Sequence, residues 1–449
     1  MNSIFHKSVQ GASHIASGKP CQDYSLSYEE QGITIAVVCD GHGGKTYFRS
    51  DTGARLAAEI TLDILKGFAH SMPSDIYASK KFSITARPQR NPFIDSDGNR
   101  VRFEDLNEGQ QKYALQAQAY IEAEGKYQEQ RSCIEALLSQ IYAEWIEQIN
   151  KDTRKNPFDK KERQILDKLG VEKAYGCTLL AFLKTTDYWL SFHIGDGKIM
   201  TCDSSLNWEM PVPEDCACFL NYTTSLCDSN PICEFRYAFN GIDNPPIAAF
   251  LCSDGVDGSL RTQENLQDFY EQIIGLVLDG DNVTDELTNY LPTLSESGNK
   301  DDISISGYVD LSNIDCESLR KRIDISKKKR DIKSDYRARK SEIESINDRI
   351  ESLNIKYERQ KDLRFEKQTE LDDMRQGIEL KEKELKAIEE TVSSIKNESE
   401  ELKNKLDIKR KDFEDWKFTI KNEMAESEAE LKNDEIKEED NPSIDLTNW

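Results

Sequence analysis

Ile33–Cys39 (ITIAVVC) is a near-continuous apolar run rich in β-branched residues, and residues 247–252 (IAAFLC) form another. Runs of this kind read as buried strands. Each leads almost at once into an Asp-Gly pair, Asp40-Gly41 and Asp254-Gly255, so a carboxylate emerges where the strand ends and the backbone turns tightly. Two further acidic clusters, Gln22-Asp23 and Asp301-Asp302, complete a set of four within the first 302 residues. Carboxylates so far apart in sequence, each bordering an apolar run, are candidates to converge on one site. An oxygen-rich ligand set suits hard divalent cations such as Mg²⁺ or Mn²⁺. Any one Asp-Gly taken alone is a turn dipeptide. The set reads differently because Asp40-Gly41-His42-Gly43-Gly44 adds an imidazole and three glycines, which let backbone carbonyls approach an ion or ligand.

The composition changes near residue 312. Ten of the eleven cysteines and most of the apolar strands precede it, whereas Lys, Glu, Asp and isolated Ile or Leu dominate the C-terminal remainder of the chain. Residues 178–184 (TLLAFLK) and 188–194 (YWLSFHI) flank Thr185-Thr186-Asp187, a hairpin signal, and Gly195-Asp196-Gly197 then turns into 198–202, so a three-stranded meander is expected. Residues 54–68 and 263–278 carry helical spacing, and 303–309 read as a last strand. Strands and helices segregated in this way fit an α+β fold. Residues 70–170 form a long insertion, helical from 113 to 149, with Ile134, Leu137, Leu138, Ile141 and Ile146 spaced for burial. Asp95-Ser96-Asp97-Gly98-Asn99 is an ordinary hairpin turn. It is not a calcium loop, because Arg100 and Asn107 stand where such a loop needs Gly and Glu.

From Ile325 to Ile420 one heptad register carries Ile332, Tyr336, Ile343, Ile346, Ile350, Leu353, Tyr357, Leu371, Met374, Ile378, Leu385, Ile388, Val392, Ile395, Leu402, Leu406, Phe413 and Trp416. Sustained a/d apolarity with charged flanks predicts a coiled coil over 313–435, most simply a homo-oligomer, as a rod of roughly 150 Å. Gln360, Arg364 and Lys367 interrupt the seam, and 436–449 read as an acidic flexible tail.

The net charge of −24 argues against a nucleic-acid partner, whose phosphates need neutralising cations. No stretch approaches the ~18 apolar residues of a membrane span, and MNSIFHKSVQ lacks the apolar core of a signal peptide. A reduced, cytoplasmic protein is the expectation. Cys216, Cys218, Cys227 and Cys233 are spaced poorly for zinc and read as packing cysteines.

The ordered series Gly11-Ala12-Ser13-His14, Cys21-Gln22-Asp23, Asp40-Gly41-His42-Gly43-Gly44, Tyr175-Gly176-Cys177-Thr178, Gly195-Asp196-Gly197, Ser253-Asp254-Gly255 and Asp301-Asp302-Ile303-Ser304 resembles the metal-dependent protein phosphatases of type 2C, most closely their bacterial branch. The resemblance spans roughly residues 1–310 and makes 1–312 the phosphatase domain. It implies a four-layer α-β-β-α sandwich and two Mg²⁺ or Mn²⁺ ions. Asp40 would bridge them with the Gly41 carbonyl, Asp254 and Asp301 would hold the second, Asp23 would reach the first through waters, and Asp196 would serve a third, weaker site. His42 is then the candidate proton donor to the leaving alkoxide. Lys19 stands near where many members carry an Arg, and is the candidate phosphate ligand. The implied substrate is a protein phosphorylated on Ser or Thr, the product of a Ser/Thr kinase. The alternative is a coiled-coil scaffold whose head is catalytically weak and only binds phosphorylated partners.

Overall fold

The computed structural model describes residues 2–434 apart from 86, 88–90, 92, 95–98, 214–222 and 374–377. The turn expected at Asp95, two members of the cysteine cluster (Cys216 and Cys218), Met374 of the heptad register and the tail 436–449 lie outside the described residues. The chain forms two compact units, Met1–Ile323 and Asp324–Trp449.

The first unit is built on two antiparallel sheets. One runs in the order β1 (Asn2–Val9), β11 (Ile303–Asp310), β10 (Ala248–Cys252), β7 (Lys198–Cys202), β8 (Trp208–Glu209). The other runs β2 (Tyr24–Glu30), β3 (Ile33–Cys39), β5 (Leu179–Lys184), β6 (Trp189–Ile194), β9 (Arg236–Asn240), β4 (Lys81–Ile84). Both faces of the central strands are covered, which is why they read as continuous apolar runs. In β3, Ile33, Ile35, Val37 and Cys39 face a helical layer, while Ala36 and Val38 enter the core between the sheets. In β10, Phe250 and Cys252 face helices, and Ala249 and Leu251 meet that same inter-sheet core. The expected meander is corrected here. β5 and β6 pair as a hairpin, but β7 pairs with β10 and β8, so Gly195-Asp196-Gly197 carries the chain from one sheet to the other.

Helices complete the outer layers. In chain order they are α1 (Ala12–Ser17), α2 (Ser50–Ser71), α3 (Ser74–Tyr77), α4 (Glu108–Lys126), α5 (Gln128–Lys155), α6 (Lys160–Ile165), α7 (Pro231–Glu234), α8 (Asp254–Leu260), α9 (Gln263–Asp279) and α10 (Val283–Ser297). The insertion is part of the sandwich. Its helical stretch breaks at Tyr127 into α4 and α5, and Ile134, Leu137, Leu138, Ile141 and Trp145 of α5 join the core shared by α2 and the six-stranded sheet. The Trp145 indole donates to the Gly53 carbonyl at 3.1 Å. Gly53 itself lies so close to Tyr175 that a Cβ there would sit 1.9 Å from the Tyr175 carbonyl oxygen.

The first unit extends past the composition shift at 312. Leu311 and Leu319 are buried in the core beneath α9 and α10, with Cys316 and Ile323 packed beside them. Truncation after Ile323 should therefore leave the stability of this unit unchanged in urea denaturation. Truncation after Asp310 strips two buried leucines and should cost roughly 3–6 kcal/mol.

The second unit continues α11 (Cys316–Asp373) and adds α12 (Ile378–Asp434). Contacts pair them antiparallel: the rings of Tyr336 and Phe413 lie 5.2 Å apart, Glu342 meets Lys409 at 3.2 Å, and Arg349 meets Glu398 at 3.0 Å. The predicted a/d positions are the shielded ones. Ile332, Ile346, Leu353, Val392 and Leu406 are buried, and Ile343, Ile350, Tyr357, Leu385, Ile388, Ile395 and Leu402 are partly so, while most of their neighbours are exposed. The expected single rod is thus corrected to two long helices paired antiparallel within the second unit. Both stripes of the seam thus come from one chain, and several of its residues remain only partly buried.

Candidate active site

The acidic residues emerge together because the strand registers bring their ends together. Tyr24 pairs with Cys39 across β2 and β3, which places Asp23 and Asp40 at the next step of the same ladder. The Asp40 N–H donates to Thr178 Oγ1 at 3.1 Å, and the Thr178 N–H returns to the Asp40 carbonyl at 2.8 Å. In the other sheet the Ser253 N–H donates to the Ser304 carbonyl and the Ser304 N–H to Ser253 Oγ, both at 3.0 Å, which brings Asp254 near Asp301. Asp23, Asp40, Asp196, Asp254, Asp301 and Asp302 line one cleft of about 340 Å³ with Lys19, His14, Gly41 and His42. Lys19 is the one Lys or Arg among the lining residues, so the cleft is strongly acidic.

That crowding shows in the protonation equilibria. Burial pushes the Asp23 carboxyl well above the usual range, and Asp302 beside it adds to the shift. Burial does the same for Asp40, reinforced by Asp23 and Asp254. Asp254 is pushed up to about 6, chiefly by burial, against the opposing effect of its hydrogen bond with Asp40. Asp23 Oδ2 is buried with no hydrogen-bond partner among the described residues. A buried carboxylate oxygen left unpaired is costly unless a cation satisfies it. The oxygen donors, their mutual repulsion and this orphaned atom therefore fit hard divalent ions. Among the described residues no three acidic, imidazole or thiol groups close around one point. The carboxylates act on one another as a connected set along the wall: Asp40 feels Asp23, Asp254 and Asp196, and Asp23 feels Asp302, Asp254 and Asp301.

Gly41 occupies a place no other residue fits, since a Cβ there would lie 2.5 Å from the Gln22 carbonyl oxygen and 2.8 Å from that of Ser50. His42 follows at the cleft wall. Its N–H donates to the Gly176 carbonyl at 3.0 Å, and its carbonyl accepts from Gln22 Nε2 at 3.1 Å and Ser50 Oγ at 2.9 Å. The ring packs on Tyr47 with centroids 4.8 Å apart. Burial lowers the His42 pKa, opposed by the charges of Asp196 and Asp228. Lys19 lies exposed on the rim, with Nζ 3.3 Å from the Gly43 carbonyl. Asp196 accepts from Thr223 Oγ1 at 2.7 Å.

Two residues escaped the sequence reading. Asp302 turns from the cation-facing role its doublet suggests and accepts the N–H of Gly11 at 2.6 Å, the N–H of Gln22 at 2.6 Å and a hydrogen bond with His14 Nδ1 at 2.8 Å. It ties the segment before Asp23, the segment at Gly11 and the loop of Asp301 into one latch. His14 has no acidic neighbour in sequence, and only the fold supplies Asp302 as its partner. The doublet Asp301-Asp302 was the sole local signal, and it does not say which member faces inward. Asp302→Ala strands these buried donors and should cost about 3 kcal/mol or more in urea denaturation.

His193 lies buried in β6 with Arg236 Nη2 3.2 Å from Nδ1, a core role as expected for a residue inside a strand. Cys227 is buried and 3.3 Å from Ser225 Oγ, and Cys233 is partly buried; the described part of the cysteine cluster forms no metal-binding group.

Compared with known proteins, the chain matches the family profile described as Protein phosphatase 2C over residues 10–292. No curated protein sequence matches it. Similar solved structures include PppA, a key regulatory component of T6SS in Pseudomonas aeruginosa, at 17% identity over 69% of this chain and 97% of that one, with a TM-score of 0.37. The S. agalactiae serine/threonine phosphatase is 15% identical over 69% of this chain and 100% of that one, with a TM-score of 0.35. The Mycobacterium tuberculosis serine/threonine phosphatase PstP/Ppp is 12% identical over 69% and 98%, with a TM-score of 0.34.

Proposed function

Because the chain belongs to the protein phosphatase 2C family, we propose that its first unit hydrolyses phosphoserine and phosphothreonine in proteins by attack of a metal-activated water. The carrying observation is the convergence of Asp23, Asp40, Asp254 and Asp301 on one cleft with a buried, unpaired carboxylate oxygen. Two Mg²⁺ or Mn²⁺ ions there would supply hydroxide at neutral pH and neutralise the phosphoryl oxygens. Asp40, the Gly41 carbonyl, Asp254 and Asp301 would hold these ions, Asp23 would act through waters, and Asp196 would be left for a weaker third ion. Lys19, on the rim, would meet the incoming phosphate as a point charge. His42, its backbone clamped by Gln22 and Ser50, would give its proton to the departing Ser or Thr oxygen.

The substrate in this reading is a protein phosphorylated by a Ser/Thr kinase. No helix among the described residues is long and apolar enough to cross a membrane. The described cysteines are free thiols, in keeping with a reducing compartment such as the cytoplasm. The antiparallel helix pair favours a monomer, since both stripes of the seam come from one chain. Exchange of α12 between two chains would preserve the same contacts and is the route by which it could assemble. Concentration-dependent light scattering of the full chain separates the two.

The test is a paired titration with Mn²⁺. Hydrolysis of p-nitrophenyl phosphate should appear with Mn²⁺ and vanish in EDTA. The Tm should rise with Mn²⁺ as expected for ligand linkage, about 2.7 kcal/mol at 100-fold over Kd. Full activity in EDTA would overturn the proposal. A second reading rests on the open arrangement of the carboxylates, since among the described residues no three potential ligands close around one point. It makes the protein a scaffold whose weak head binds phosphorylated partners, and phosphopeptide binding without turnover at saturating Mn²⁺ would decide for it.

A further inference from the structure

The insertion builds a second cavity that shares no lining residue with the acidic cleft. It measures about 410 Å³ and lies between β4, β9 and the helices α4, α5 and α7, within the usual volume for a small-molecule pocket. Arg131 on α5 is its centre. The side chain is 7% exposed, and Nη2 donates to the Tyr120 hydroxyl at 2.8 Å and to Glu135 Oε1 at 3.0 Å. Nη1 reaches Glu124 only at 3.8 Å. Arg131 and the buried Tyr237 hydroxyl interact with each other, and neither Arg131 Nε nor that hydroxyl makes a well-formed hydrogen bond among the described residues. Arg87 stands at the rim, 61% exposed, with its guanidinium 4.0 Å from Glu124. Ile84, Ile232 and Phe235 supply apolar wall.

A buried guanidinium that keeps one N–H unused beside a phenol and faces a cavity can take a further acceptor. Carboxylate and phosphate are the acceptors whose charge and planar or tetrahedral oxygens match a guanidinium best. Glu124 lies near Nη1 and Glu135 accepts from Nη2, but neither reaches Nε. They are 49% and 46% exposed and can turn to water when a ligand arrives, whereas Arg131 is held in place by Tyr120.

We propose that this cavity binds a small organic anion, a carboxylate or phosphate monoester on a planar apolar body, with Arg131 and Tyr237 gripping the anion and Arg87 closing over it.

The experiment uses the full chain in EDTA. Without metal the catalytic cleft is lined by carboxylates and repels anions, so binding under these conditions reports the second cavity. Benzoate and phenyl phosphate are titrated by calorimetry and thermal shift, with inorganic phosphate as the probe that lacks an apolar body. Both aromatic probes should bind and raise Tm, and inorganic phosphate should bind at least tenfold more weakly. Arg131→Gln should weaken phenyl phosphate at least tenfold. Tyr237→Phe and Arg87→Ala should each weaken it severalfold, and these two milder changes keep the test valid if Arg131→Gln fails to fold. Asp40→Asn should leave the affinity unchanged. The proposal is overturned if neither aromatic probe binds at millimolar concentration, if Tyr237→Phe and Arg87→Ala bind as the parent does, or if Asp40→Asn abolishes binding.

Discussion

Asp40→Asn should lower Mn²⁺-dependent turnover of p-nitrophenyl phosphate at least ~10²-fold, the loss expected when a charge-stabilising element of a two-metal site is removed. The amide keeps the shape of the carboxylate and the backbone bonds to Thr178, so the loss reports charge rather than collapse. Asp254→Asn should behave alike, because the two carboxyls are hydrogen-bonded neighbours and share the cleft. The same substitution should move stability the other way. In the metal-free chain Asp40 is buried among Asp23, Asp254 and Asp196, which repel it. Removing one such charge relieves that repulsion, so Asp40→Asn in EDTA should melt above the parent, while its gain in Tm on adding Mn²⁺ should shrink. Lost activity with a higher metal-free Tm is the signature of a site whose strain serves ion binding. A variant that melts lower in EDTA and still gains the full Mn²⁺ stabilisation would place Asp40 in the scaffold.

His42→Ala should divide substrates by their leaving group. A serine alkoxide needs a proton as it departs, and general acid catalysis is worth ~10²–10⁴-fold in such a case. p-Nitrophenolate leaves unaided. Phosphoserine peptides should therefore lose most of that factor, and p-nitrophenyl phosphate should lose little. The ring lines the cleft; burial lowers its pKa and so disfavours the protonated form, while the charges of Asp196 and Asp228 favour it. Its carbonyl also belongs to a structural knot with Gln22 and Ser50, which Ala leaves intact because the backbone is unchanged. Equal losses on both substrates would assign the ring a packing role against Tyr47 instead.

Much of this architecture was legible from local pattern. The runs ITIAVVC and IAAFLC are strands because two-sided burial demands apolar residues at every position, and that demand is written locally. The carboxylates at their ends were found for the same reason: a strand that stops at an Asp-Gly pair has few other places to put its side chain. Gly41 is explained by contacts that no pattern contains, since the Gln22 and Ser50 carbonyls close in from segments remote from it in sequence or on the next helix. Asp302 was visible as the second half of a doublet, but its three donors come from residues 11, 14 and 22. The crossover after β6 departs from the expected meander because a short Gly-Asp-Gly turn looks alike whether the next strand joins the same sheet or the opposite one.

The helical unit draws the same line most clearly. By itself the sequence determined which residues of 325–420 are shielded, because a 3.5-residue period selects one stripe on a helix whatever lies opposite. Only the tertiary structure decided that the opposite stripe belongs to the same chain, running the other way. Heptad phase is the same for parallel, antiparallel, intermolecular and folded-back pairings, and the choice rests on pairwise matches such as Tyr336 with Phe413 and Arg349 with Glu398. The acidic cleft obeys the same physics: a local period tells each element which face to bury, while the partner across that face is supplied by residues hundreds of positions away.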